Sequence, residues 1–296
     1  MNAVTWTQTL RGLAPPLLER RIAAFEPDAL ILTRHALRLG EERLRRLLRG
    51  RYSAFWYFDL RIPPLPEVVR LGRLVDVMYT TCVPEVATYR SAGIARVLYL
   101  PQGTDPAVDR PAGSAPAQYR CDVAFIGNGD HPHRVPVLRA LAGATRLQIR
   151  GPRWEWARGD LPVAGGPVYG REYARAVAGA AISLGANAIP EMARLYGSTS
   201  NRMWKVMGCG GFYLGEWVEG MDRFAREGAH CAWYRTPAEA VEQARRYLAD
   251  PAARARIAEA GRRHALAHHT YAHRVALLLQ GKEYQLEEAE PPQTSS

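Results

Sequence analysis

Short apolar runs, most of them rich in β-branched or aromatic residues, recur along the chain. They alternate with stretches whose apolar residues fall three or four apart. The first spacing fits strands buried on both faces and the second fits helices packed on a sheet, the pattern of α/β folds with parallel sheets. Strands are expected first at DALILT (28–33), AFWYFD (54–59), VMYTT (77–81) and RVLYLPQG (96–103). Between the first two, LGEERLRRLLRG repeats Leu at helical spacing and stops at Gly50. A second series follows at CDVAFIGN (121–128), RLQIRG (146–151), AAISLGA (180–186), GFYLGEW (211–217) and CAWY (231–234). Helical spacing then returns in PAEAVEQARRYLAD, PAARARIAEAGRRHALAHH and YAHRVALLLQ.

Between the two series, residues 103–120 are rich in Pro, Gly and Ala and carry no apolar period. The expected organisation is an N-terminal domain over 1–110, a linker over 111–120 and a C-terminal domain over 121–282. Residues 283–296, ending in EEAEPPQTSS, have the composition of a disordered tail. Two α/β domains joined in this way are expected to face a cleft, a common place for small-molecule sites.

Composition adds little. No window approaches the ~18 consecutive apolar residues of a membrane span. The start, MNAVTWTQTLRG, lacks the basic-then-apolar order of a signal peptide. Cys82, Cys121, Cys209 and Cys231 show no CxxC spacing and lie in apolar runs, so reduced core thiols in a cytoplasmic protein are expected. A formal net charge of +10 favours contact with anions, although an Arg-rich coding bias explains it equally well. Of the 39 basic residues only Lys205 and Lys282 are lysine.

Two segments carry candidate chemistry. DVAFIGNGDHPHR places an apolar strand directly before Gly127, Asn128 and Gly129, with Arg134 shortly after. Such a turn lets a phosphate approach backbone N–H groups, but it is short of a full GxGxxG, and a plain tight turn is the competing reading. His131 and His133 have no acidic or thiol partner nearby in sequence, so no metal site is expected there. In STSNRMWKVMGCGG, Ser198 or Ser200 caps a helix opening with Asn201 and Arg202 and ending at Gly210 or Gly211. Arg202 and Lys205 share a face near the positive end of the helix dipole, a conflict that a bound anion would relieve. Solvated or distantly paired cations, and glycines that merely pack, are the alternatives. His264, His268, His269 and His273 in HALAHHTYAHR read as a solvated helix end. Asp59, ending AFWYFD, and His35, just after DALILT, are the candidates for a catalytic base.

These segments, with FAREGAHCAWYRTPAEAVEQARRYLADPAARARIAEAG and HHTYAHRV, occur in an order that resembles the CgeB-like (spore-maturation type) glycosyltransferases of the GT-B group. The likeness covers roughly 120–280, and the first half fits more loosely through PDALILT, WYFD, VDVMYTT and YLPQGTDP. It implies two Rossmann-like parallel-sheet domains facing a cleft, the N-terminal one reduced and on the acceptor side. It also implies metal-independent transfer from a nucleotide-diphosphate sugar, with no tightly bound cofactor. On this reading Gly127 and Asn128 line the diphosphate turn, Ser200, Asn201 and Arg202 meet the phosphates, and Gly210 and Gly211 admit the donor. Many members carry a ribose-binding Glu where this chain has Lys205. Lys has no acceptor, so it would instead add positive charge near the diphosphate. The competing functions are a non-catalytic nucleotide-binding or scaffold protein and a transferase acting on nucleic acid. An oligomer partner completing the short N-terminal domain is a further expectation.

Overall fold

The computed structural model describes residues 15–286. The described chain divides into two compact units, one of residues 15–101 with Arg274–Gln285 and one of Gln102–His273.

The first unit is built on four parallel strands in the order β1-β2-β3-β4: β1 Ala29–Leu32, β2 Tyr52–Tyr57, β3 Val77–Thr80 and β4 Val97–Tyr99. Three lie within the apolar runs that predicted them, and β2 overlaps its run at 54–59 but begins two residues earlier. Ala54, Phe55, Trp56, Val77, Met78 and Tyr79 are buried, as continuous apolar runs require in a sheet covered on both faces. Helices α1 (Pro15–Phe25), α2 (Glu41–Leu48), α3 (Pro66–Gly72) and α4 (Val83–Ser91) lie between the strands or before them. In α2 the spaced Leu44, Leu47 and Leu48 are buried, while Glu41–Arg45 and Glu42–Arg46 pair on the exposed side.

The end of the chain also belongs to the first unit. Arg274, almost fully buried, donates through Nε to the Pro101 carbonyl, and the Tyr52 hydroxyl donates to the Leu278 carbonyl. The Tyr99 amide donates to the Glu283 carboxylate, and the Tyr284 amide donates back to the Tyr99 carbonyl. Glu283 and Tyr284, assigned by composition to a disordered tail, are therefore held on β4. The remainder of that expected tail, 287–296, lies outside the described residues.

The second unit has six parallel strands: β5 Cys121–Ile126, β6 Leu147–Arg150, β7 Val163–Gly165, β8 Ala180–Gly185, β9 Tyr213–Glu216 and β10 Ala232–Tyr234. Their order is β10-β9-β8-β5-β6-β7. The chain steps outward from β5 through β6 to β7, then returns to lay β8 on the other side of β5. The direction of winding reverses between β5 and β8, where open α/β sheets hold their ligands at the carboxyl ends of the strands. The first sheet has no such reversal. The helices are α5 (Val135–Ala142), α6 (Gly170–Gly179), α7 (Asn201–Gly208), α8 (Pro237–Ala249) and α9 (Pro251–His268), followed by α10 (Tyr271–Gln280), most of which packs in the first unit. β7 has no counterpart among the expected strands. It is three residues long, contains one glycine and pairs with β6 through an irregular register, so no apolar run announces it.

All four cysteines are free and buried, as expected of core thiols. The histidines of HALAHHTYAHR form a solvated end only in part: His268 and His273 are exposed, whereas His264 and His269 are drawn into packing. His269 is buried and stacks on Trp204 with centroids 4.1 Å apart, and His264 stacks on His230 at the same distance. The His264 Nε2 lies 2.6 Å from the Phe224 carbonyl. Burial, and then the adjacent His264, push His230 down to about 4, so it packs as a neutral ring at ordinary pH. Among the described residues no group of three or more His, Cys, Asp or Glu side chains is placed to hold a metal ion, and no helix is long and apolar enough to cross a membrane.

Candidate functional site

At the reversal point, two guanidinium groups meet over one ring. The Arg202 Cζ lies 4.8 Å and the Arg134 Cζ 5.6 Å from the centroid of Phe125 on β5. Arg202 donates through Nε to the Ile126 carbonyl at 3.0 Å and through Nη1 to the Ala186 carbonyl at 3.3 Å. Arg134, buried, donates through Nε to the carbonyls of Ala186 and Asn187, and through Nη1 to that of Asn128 at 2.8 Å. These carbonyls lie at or just beyond the carboxyl ends of β5 and β8, so both cations are held by backbone dipoles. Neither makes an ion pair among the described residues, and the Nη2 of each makes no hydrogen bond there. Burial, and then the nearby Arg202, pull the Arg134 guanidinium down to about 9, which leaves it charged at neutral pH.

The local sequence explains the geometry. Gly127 follows β5, and a Cβ there would lie 2.6 Å from Arg202 Nη2 and 2.7 Å from the Phe125 ring. Only glycine leaves room for the cation to cross the ring. The Gly127 carbonyl accepts from Trp154 Nε1, which fixes the turn from its other side. Asn128 accepts the Asp130 amide through its side-chain oxygen, a local Asx turn that leaves its own carbonyl to Arg134.

Helix α7 starts at the same place. Ser200 is its cap, accepting the Arg202 amide at 3.3 Å, while Asn201 is exposed at the first helical position. Ser198 is buried one turn earlier, its amide bonded to Leu195. Two further buried groups have no partner among the described residues: Thr199 Oγ1, just before the cap, and Asn187 Nδ2, just beyond β8. A helix start, two unpaired cations and two unpartnered polar side chains form a set that a multiply charged oxyanion would satisfy.

Thus Gly127, Asn128, Arg134, Ser200 and Arg202 come together, with Asn201 at the edge. Three predicted residues do not join them. Lys205 Nζ bonds to Asp109 Oδ1 at 2.6 Å and lies 5.1 Å from the Tyr173 ring, so its charge is spent on a buried carboxylate rather than offered to a ligand. Gly210, with φ of 76°, terminates α7 in the left-handed conformation. A Cβ on Gly211 would lie 2.4 Å from Val177, so this glycine serves packing. The spacing that placed Lys205 beside Arg202 is correct, but the two side chains leave the helix for different partners.

In the first unit, His35 lies in a short 3-10 turn after β1 and Asp59 lies just after β2, its neighbour in the sheet. The Asp59 carboxylate accepts Arg34 Nη1 at 2.8 Å in a half-exposed pair. Sequence reasoning missed Glu85, a buried carboxyl in the first turn of α4. The Thr80 hydroxyl donates to one of its oxygens, while Oε1 has no partner among the described residues. It also missed Glu216, which ends β9 and bonds His133. A usable signal was present for Glu216: FIGN, SLGAN and YLGE each place a polar residue at or within two residues of the end of an apolar strand.

Residues 134–280 match a family model described as glycosyl transferase-like. No curated protein matches the chain. Among solved structures, sucrose-phosphate synthase from Thermosynechococcus elongatus superposes with a TM-score of 0.64 at 16% identity, covering 90% of this chain and 75% of that one. HepE from Anabaena, solved in complex with UDP-glucose, gives 0.64 at 14%, covering 94% and 85%. An Escherichia coli trehalose-6-phosphate structure bound with UDP-2-fluoro glucose gives 0.60 at 13%, covering 92% and 77%. At these identities the likeness shows the fold, which is GT-B-like, with two parallel-sheet α/β units as the sequence pattern predicted.

Proposed function

We propose that this chain is a glycosyltransferase that takes a sugar from a nucleoside-diphosphate donor and passes it to an acceptor hydroxyl. The carrying observation is the pair of guanidiniums at the reversal point, unpaired by any carboxylate among the described residues and adjoining the capped start of α7. Donor departure concentrates negative charge on the leaving diphosphate. Cations already held in place by strand-end carbonyls need no reorganisation to meet that charge. The family match and the UDP-sugar complexes of two structural neighbours support the same reading.

Within it, we assign donor binding to the second unit and the acceptor to the first, with Asp59 as the base for the acceptor hydroxyl. The proposed leaving-group chemistry is metal-independent, the subtype CgeB-like and the location cytoplasmic. Lys205 offers no acceptor to a ribose hydroxyl, so selectivity for the nucleoside is assigned to other residues.

A thermal-shift panel of UDP, GDP, ADP and dTDP, each with its glucose conjugate, is the primary test, followed by calorimetry on the best binder. Arg202→Ala is expected to weaken that binding about 10- to 100-fold, the worth of one or two charged hydrogen bonds. Unchanged affinity in the variant, or a panel with no binder, overturns the assignment.

A further inference from the structure

Glu216 stands at the same strand ends and has both carboxylate oxygens engaged. Oε1 lies 2.8 Å from His133 Nε2, and Oε2 accepts the Asn187 amide at 2.7 Å. Its side chain is 13% exposed and that of His133 30%. A carboxylate gripped from two sides cannot turn, so it fixes the ring of His133. A carboxylate only accepts, so Nε2 must carry a proton and point it at Glu216. The other nitrogen, Nδ1, has no partner among the described residues.

The pair is wired into the framework that holds the guanidiniums. Asn187 gives its amide to Glu216 and its carbonyl to Arg134, and Arg134 follows His133 directly in the chain. His133 thus sits one residue from a buried cation anchored at the reversal point. A solvent-exposed His–Glu bridge that merely ties a loop to a strand would contribute little. Such a bridge also gives no reason for the neighbouring Asn187 Nδ2 to be buried with no partner among the described residues.

We propose that His133 is a catalytic residue of the transfer, its imidazolium Nδ1–H directed at the departing diphosphate and its orientation set by Glu216. The inference rests on the donor site proposed above. In the step, the bond from the sugar C1 to the diphosphate oxygen breaks and its electron pair stays on that oxygen. The proton on Nδ1 passes to a diphosphate oxygen. The acceptor hydroxyl oxygen forms the new bond to C1 and gives its proton to a base or to water. His133 is left neutral, still bonded to Glu216, and regains a proton from solvent. Charged residues on the elements that hold the pair are Glu216, which ends β9, Arg134, next to His133 in the chain, Arg202 from α7, which shares the Phe125 ring with Arg134, and Asp130 in the preceding loop, itself paired with Arg153.

Two measurements separate this inference from the reading it rests on. Calorimetry with inorganic pyrophosphate, run on the wild type in buffers of different ionisation enthalpy, should show proton uptake on binding. His133→Gln should bind pyrophosphate within about threefold of wild type with that uptake lost. With the donor sugar selected by the panel, His133→Gln should lower kcat by 100-fold or more at little change in KM, the usual range for a lost general acid. Glu216→Gln should lower it less. Pyrophosphate binding without proton uptake, or a His133→Gln enzyme with wild-type kcat, overturns the role of His133 and leaves the anion site standing. Failure of the wild type to bind pyrophosphate or any nucleoside diphosphate overturns both. The wild-type proton measurement decides the matter even if the variant does not fold.

Discussion

Replacing Lys205 by Met is expected to lower the unfolding free energy of the second unit by about 3 kcal/mol and to leave nucleoside-diphosphate affinity unchanged. The reason lies in Asp109, whose side chain is only 3% exposed. One of its oxygens takes the Lys205 ammonium. The other accepts the Asp105 amide at 3.0 Å and the Thr104 hydroxyl at 3.3 Å. Removing the ammonium leaves an ionised carboxylate buried with two neutral donors, the costly way to break such a pair. Removing both charges should be far milder, so Lys205→Met combined with Asp109→Leu is expected to recover most of the loss. Urea unfolding monitored by tryptophan fluorescence reads the stabilities, and calorimetry reads the affinity. A single variant within about 0.5 kcal/mol of wild type would show the pair to be idle. A variant stable but deficient in nucleotide binding would return Lys205 to the donor site.

Glu85 provides the second large effect, and it depends on pH. Burial pushes its carboxyl up to about 7 from 4.5, against the lowering contributed by the Thr80 hydroxyl and the Arg61 backbone. A carboxyl that holds its proton more tightly when folded contributes stability fully below about pH 4.5. That contribution is lost as pH rises through about 7. A shift of this size corresponds to about 3 kcal/mol across the window. Glu85→Gln keeps the shape and removes the ionisation. The variant should match wild type near pH 4.5 and exceed it at pH 8 by an amount approaching that figure. Equal pH dependence in the two proteins would mean that Glu85 ionises freely in the folded state.

Strand positions were legible because a strand covered on both faces must be apolar throughout. AFWYF and VAFI carry that requirement in consecutive letters, whereas VAG at β7 does not. The start of α7 was legible too, since Ser200, Asn201 and Arg202 combine a cap with a cation where the helix dipole disfavours one. What remained hidden were partners far apart in the chain. Helical spacing shows that Arg202 and Lys205 share a face, yet nothing in it reveals that Asp109, 96 residues earlier, waits for the lysine. His133 looked partnerless because Glu216 is 83 residues away. The histidine-rich end of α9 read as solvated for the same reason, since Trp204 and His230 come to it from distant elements. Polar residues at strand ends were visible one by one, and their convergence follows from the strand order β9-β8-β5, which no local pattern encodes.

The return of α10 to the first sheet has a consequence for how the protein is made. Tyr52, Tyr99 and Pro101 all take partners from residues 274–285. The ribosome must therefore complete the whole of Gln102–His273, a continuous stretch, before the unit that precedes it can close. The unit entered first of the two is finished second, and through that interval its sheet lacks the cover that Arg274 and Leu278 bring.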